Sequence, residues 1–142
     1  MCHVTEEPEV KSRQSARFED RFINFSISII KLVTENRAVP RSVADQVIQS
    51  VTAIGANYAE VQNAVSRADF KNKIGISKKE AAETRYWLRI IEKLTDSELL
   101  FPYLKESQEV LFILQKNVST LRTKSATCYM SHIFLFNSGS VQ

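Results

Sequence analysis

The sequence predicts an all-α fold, an antiparallel up-down-up-down four-helix bundle. Three observations predict it. Apolar residues recur at alternating steps of three and four over four long stretches. The chain has only three prolines, Pro8, Pro40 and Pro102, and three glycines, Gly55, Gly75 and Gly139, so little interrupts a helix and strands are hard to place. The connections left between the stretches are short, which makes successive helices antiparallel neighbours.

The first 16 residues are polar and aperiodic and are expected to form a flexible N-terminal tail, 1–16. The first helix is expected at about 17–37. Phe18, Phe22, Phe25, Ile29 and Leu32 form its main stripe, and Ile23, Ile27 and Ile30 form a second stripe beside it. The second helix is expected at about 42–65, with Ser42 and Asp45 as an S-x-x-D capping signature. Its stripe is Ala44, Val47, Val51, Ile54, Tyr58, Val61 and Val65, while the small Gly55, Ala56 and Ala59 let another helix come close.

Ser66 and Asp69 repeat the capping signature, which sets the start of a third helix at about 67–95 without any Gly or Pro at the break. One of its stripes is Phe70, Ile74, Ala81, Leu88 and Ile91; the other is Ile76, Glu80, Glu83, Trp87, Ile90 and Leu94. Thr95-Asp96-Ser97 is a polar connector. Pro102 suits the first turn of a fourth helix, about 102–124, with Leu104, Leu111, Leu114, Val118 and Leu121 inward. The bundle domain is therefore 17–124, followed by a C-terminal tail, 125–142, that contains the apolar run Ile133-Phe134-Leu135-Phe136.

The first and third helices carry more apolar face than one bundle core uses. The surplus predicts a homo-oligomer with these helices at the interface. The alternative is that both stripes of each helix serve one wide core.

A chain of 142 residues is one domain, long enough to bury a core without disulfides or metals. Its hydrophobic fraction of 44% and charged fraction of 25% are ordinary for a soluble protein. A net charge of +3 does not by itself demand a nucleic-acid partner, but eight Lys/Arg against four Asp/Glu lie between Arg67 and Lys93, which leaves −1 for the remainder. Cys2 and Cys128 form no CxxC pair, and His3 and His132 lie in the tails, so neither a disulfide framework, a zinc site nor any other cofactor is expected. The segment from His3 to Arg17 lacks an apolar signal core, and no apolar run approaches the roughly 18 residues of a membrane span. The expectation is a cytoplasmic protein with no membrane partner.

The helix around Trp87 carries the candidate site. Glu80, Glu83, Trp87, Ile90 and Leu94 share one face, and a face that begins with two acids is poorly suited to a dry core. Asn57 and Glu60 repeat the three-residue spacing on the second helix. If the two helices are antiparallel neighbours, Asn57, Glu60, Glu80 and Glu83 come near one another, with Arg67 or Arg85 beside them. A polar network that sets helix register, or an interface salt bridge, outweighs a metal site, because the Glu-x-x-His motifs of carboxylate-bridged metals are missing. Arg67, Lys71, Lys73, Lys78, Lys79, Arg85, Arg89 and Lys93 are candidates for phosphate-backbone contact, against the plain reading of a solvated face. Tyr86 is a candidate for base stacking, against packing, and Trp87 is an interface anchor. No G-x-S-x-G, phosphate-cradling Gly-rich loop or Cys–His arrangement points to an enzyme.

Two segments resemble one family. Ser50-Val51-Thr52-Ala53-Ile54-Gly55-Ala56-Asn57-Tyr58-Ala59-Glu60 is similar to the second-helix motif of the bacterial four helix bundle protein family, the proteins encoded within 23S ribosomal RNA intervening sequences. Ser66 to Phe70, Lys73 to Ala81 and Glu83 to Leu88 resemble that family's third helix. The resemblance covers about 17–124. It implies a left-handed antiparallel bundle that assembles as a homopentamer with a central channel. Relatives include the accessory variability determinant of diversity-generating retroelements, which implies a reverse-transcriptase-like protein and nucleic acid as partners. For the ribosomal-RNA-insert members no enzymatic activity is implied. Val61 stands where many relatives have Gly, and the tail from Cys128 lies outside the family pattern.

The function expected from residues and resemblance together is a non-enzymatic homo-oligomeric scaffold that contacts RNA, DNA or a nucleoprotein through the basic third helix. A protein-interaction module without nucleic-acid binding ranks second, and a nuclease acting at intervening sequences ranks last.

Overall fold

The computed structural model describes the backbone of residues 8–117 and the side chains of 13–117. The described chain is helical, with no strand among these residues. Helices α1 (Pro8–Glu35), α2 (Arg41–Val61) and α3 (Arg67–Thr95) are followed by a short 3₁₀ turn, Glu98–Leu100, and by α4 at 101–117. The tail 125–142 and the last turns expected for the fourth helix lie outside the described residues.

α1 is already helical at Pro8, ahead of the start expected at about residue 17. Proline is favoured in a first helical turn, and Glu9, Lys11, Arg13 and Gln14 are good helix formers, so a helix extends there without an apolar stripe to reveal it. Phe22, Phe25, Ile29 and Val33 are buried, with Phe18 and Leu32 packed against them. α1 ends where Asn36 builds a turn. Its side-chain oxygen accepts from the Ala38 amide at 3.0 Å and its carbonyl accepts from Val39 at 3.1 Å, which seats Val39 in the core.

The Ser42/Asp45 signature is not used as a cap. Pro40 takes the N-cap position with no side-chain hydrogen bond, and its carbonyl accepts from the amides of Val43 and Ala44 at 3.0 Å. Proline fixes an extended-to-helix junction two residues earlier than the Ser42 cap would, leaving Ser42 inside the first turn. Val47, Val51, Ile54, Tyr58 and Val61 are buried as the stripe predicts, but α2 ends at Val61 and Val65 stands 92% exposed in the connection. Val61 itself fills core space, and Gln62 continues in a right-handed helical conformation, so this turn needs no glycine.

The break before α3 falls where the second capping signature places it. The Ser66 hydroxyl accepts from the Asp69 amide at 3.0 Å, and the Asp69 carboxylate accepts from the Val65 amide at 3.2 Å. At the other end Asp96 adopts a left-handed conformation, φ 45, which stops the helix, and Ser97 accepts from the Leu99 amide to start the 3₁₀ turn. Leu100 is fully buried at this end of the core, and Pro102 lies in the first turn of α4 as expected.

Pairings between helices are specific. Phe22 meets the Tyr58 ring edge-to-face at 4.9 Å, and the Ser26 hydroxyl donates to the Val51 carbonyl at 3.0 Å. Following α1 from 22 to 26 thus takes its partner in α2 from 58 to 51. On α3, Ser77 donates to the Ile54 carbonyl at 2.9 Å and Thr84 lies 2.9 Å from the Ser50 hydroxyl. Arg21 of α1 holds Glu106 of α4 through two bonds of 2.7 and 3.0 Å. The Glu106 carboxylate is the main reason the Arg21 guanidinium titrates above its usual range. Gly55 faces Phe22 of α1, where a Cβ would make an ordinary 3.6 Å contact. The approach is therefore close but does not exclude a methyl group.

Candidate interaction surface on the third helix

With 3.6 residues per turn, the 29 residues of α3 divide into four rows. The buried row is Ile74, Ser77, Ala81, Thr84, Leu88 and Ile91. Two of its members are hydroxyl residues that the apolar pattern passes over. They fit because each hydroxyl finds an acceptor: Ser77 uses the Ile54 carbonyl, and Thr84 bridges the Glu80 carbonyl and Ser50, whose hydroxyl bonds the Val47 carbonyl at 3.2 Å. Small, satisfied side chains let α2 and α3 pack closely along this line.

On one side of the buried row lie Ile76, Glu80, Glu83, Trp87, Ile90 and Leu94. All are half-buried except Leu94, which is 55% exposed. The Trp87 indole donates to the Glu83 carboxylate at 3.2 Å. The acids thus sit at the rim of the core, where water still reaches them, and one serves to orient the tryptophan.

On the other side lie Arg67, Lys71, Lys78, Arg85 and Arg89, at steps of four, seven, seven and four. Arg67, Lys71 and Arg89 are exposed, and Lys78 and Arg85 are half-buried. The Arg85 Nε is buried and has no hydrogen-bond partner among the described residues. The outermost row, opposite the buried one, is Lys79, Tyr86 and Lys93, all exposed.

Lys73 stands apart from the basic flank. It faces α2 and pairs with Glu60, and that hydrogen bond is the main reason its ammonium titrates above the usual lysine range. Asn57 turns its amide onto the Ala53 carbonyl of its own helix at 2.9 Å. Glu60 therefore lies level with Lys73, whereas Glu80 and Glu83 lie level with Ser50, about 10 to 15 Å further along α3. The four groups do not converge. No group of three or more His, Cys, Asp or Glu capable of holding a metal occurs among the described residues. An open depression of about 460 Å³ between α1 and α4 includes Arg17, Asp20, Arg21 and Glu106, but Arg21 and Glu106 satisfy each other there.

No helix among the described residues is long and apolar enough to cross a membrane. α1 also keeps an uncovered apolar row, with Ile23 47% and Ile27 45% exposed, and Leu99 in the turn before α4 and Phe101 at its start are exposed as well.

The described residues form a small all-helical bundle whose charged and aromatic side chains lie along helix faces. The chain belongs to the 23S rRNA-intervening sequence protein family, whose sequence profile matches residues 17–116. It is similar to a crystal structure from Bacteroides thetaiotaomicron, a protein of unknown function from the S23 ribosomal protein family. The two are 31% identical with a TM-score of 0.65, over 71% of this chain and 97% of that one. Comparison with curated proteins gave no match.

Proposed function

We propose that the chain is an antiparallel four-helix-bundle protomer of a non-enzymatic homo-oligomer that contacts nucleic acid, or a nucleoprotein, through the basic flank of α3. The observation that carries this reading is the division of α3 into two unlike flanks. Arg67, Lys71, Lys78, Arg85 and Arg89 line one side of its buried row, and Ile76, Trp87, Ile90 and Leu94 line the other. A protomer can then bury its apolar flank, with Ile23 and Ile27 of α1, against other copies and still leave its cations in water. Symmetry would repeat the basic flank once per copy and add phosphate contacts without any new residue type. The homopentamer, and a reverse-transcriptase-like protein as a further partner, rest on the resemblance described above. The cytoplasm is the compartment this reading needs.

The test is fluorescence anisotropy with a structured RNA and a DNA–RNA hybrid at low and physiological salt, on protein whose oligomeric state has been fixed by sedimentation. Binding that weakens steeply with salt is expected, and Lys78→Glu/Lys79→Glu should weaken it and reduce the salt slope by about two per protomer engaged. An oligomeric sample that binds neither probe at low salt leaves the protein-interaction module as the function.

A further inference from the structure

Tyr86 is the one aromatic residue of the outermost row of α3, and it is 60% exposed. A tyrosine that serves packing would lie toward the buried row; this one is on the opposite side of the helix. We propose that Tyr86 is a stacking platform for a base of single-stranded nucleic acid, with Lys79, Arg89 and Lys93 holding phosphates around it; the inference rests on the nucleic-acid reading above.

Three observations support it. First, the ring is positioned in advance. It meets Trp87 edge-to-face, with centroids 5.4 Å apart and planes at 71°, and Trp87 is in turn held by Glu83. An edge-to-face contact leaves at least one face of the Tyr86 ring without an aromatic partner. Second, the surrounding charge is of the right sign and is uncommitted. Lys79 and Lys93 lie seven residues to either side of Tyr86, Arg89 lies one turn beyond it, and none of the three enters an ion pair among the described residues. Of the nearby acids, Glu83 accepts from Trp87, and Glu92 lies on the far side of Arg89. Third, the dimensions suit a short strand. From Lys79 to Lys93 the helix rises about 21 Å, comparable to the smallest single-strand sites of about four nucleotides. A duplex keeps its base faces stacked inside, so it would engage the cations and leave the ring unused.

The experiment uses the full chain and an unstructured fluorescein-labelled single strand, as RNA and as DNA, alongside its blunt duplex. A second single strand carries 2-aminopurine, whose fluorescence is quenched on stacking. The variants are Tyr86→Ala, Tyr86→Phe and Lys79→Glu/Lys93→Glu, each checked for helix content and sedimentation. Single strand is expected to bind more tightly than duplex, with quenching. Tyr86→Ala should lose roughly five- to a hundred-fold on the single strand and nothing on the duplex, while Tyr86→Phe stays within about two-fold of the parent. If Tyr86→Ala binds the single strand as the parent does while the lysine variant does not, the stacking platform is overturned and the basic surface stands. If no form binds any probe at low salt, both readings fall together.

Discussion

The seam between α2 and α3 and the outer rows of α3 are built on the same helix with the same turn, yet they treat polar groups in opposite ways. In the seam, Ser50, Ser77 and Thr84 are almost wholly inaccessible, and each hydroxyl is bonded to a neighbour. On the outer rows, Glu83, Lys79 and Arg89 are charged, and water reaches all three. The difference follows from desolvation. A hydroxyl with a good acceptor is inexpensive to bury, whereas an unpaired charge is not, so charges stay on the rows where a partner molecule can meet them. The seam is therefore expected to govern stability and the outer rows to govern association.

The largest test of that division is Leu88→Ala. Leu88 is fully buried in the row that carries the seam, and truncation should cost about 3 kcal/mol, read as a lowered midpoint in urea or heat. A loss below about 1 kcal/mol would show that the seam does not carry the stability assigned to it.

Trp87→Ala should act in the other direction. Its main effect is expected on assembly, with a loss of about 2 kcal/mol or more per interface seen as dissociation in sedimentation while helix content is kept. A fully assembled variant would remove Trp87 from the interface.

Thr84→Val keeps the shape of the side chain and deletes the hydroxyl between Ser50 and the Glu80 carbonyl. Because Ser50 retains the Val47 carbonyl, the cost should be about 1 kcal/mol, with oligomeric state unchanged. Gly75→Ala should sharpen the contrast from the exposed side. Nothing lies within 4 Å of the added Cβ, so the replacement should stabilise the helix by about 0.5 to 1 kcal/mol.

The smallest effect concerns pH. Burial raises the Tyr58 phenol above its ordinary value of 10.0, against a smaller opposing hydrogen bond with Ser15. The folded state thus holds the phenolic proton more tightly than the unfolded state. Stability from this group is complete below pH 10 and falls as pH rises from there through the folded pKa. Replacing it by Tyr58→Phe should flatten that part of the stability–pH curve in denaturant titrations.

Periodicity made much of this architecture legible. Phe22, Phe25 and Ile29, then Val47, Val51, Ile54 and Tyr58, then Ile74, Ala81, Leu88 and Ile91 are the residues that the stripes select and the core contains. Ser66 with Asp69 marked a helix start that no Gly or Pro announced, because the cap bonds are local and need only their own four residues. Local rules failed where two of them competed. Ser42 and Asp45 form as good a signature, but Pro40 already occupied the junction. The helical stretch before residue 17 was not visible because its polar residues carry no apolar stripe.

By itself the sequence determined which segments are helical over most of their length and which residues enter the core, since both depend on propensity and on a repeat that any helix obeys. Only the tertiary structure decided what stands beside what. It separated Glu60 from Glu83 by pairing the first with Lys73, brought Ser77 and Thr84 to acceptors on α2, and set Tyr86 outward between Lys79 and Lys93. The physical reason is register. Sliding one helix along another by a turn leaves every stripe intact and changes every polar neighbour, so the apolar pattern constrains the core and leaves its polar contacts open.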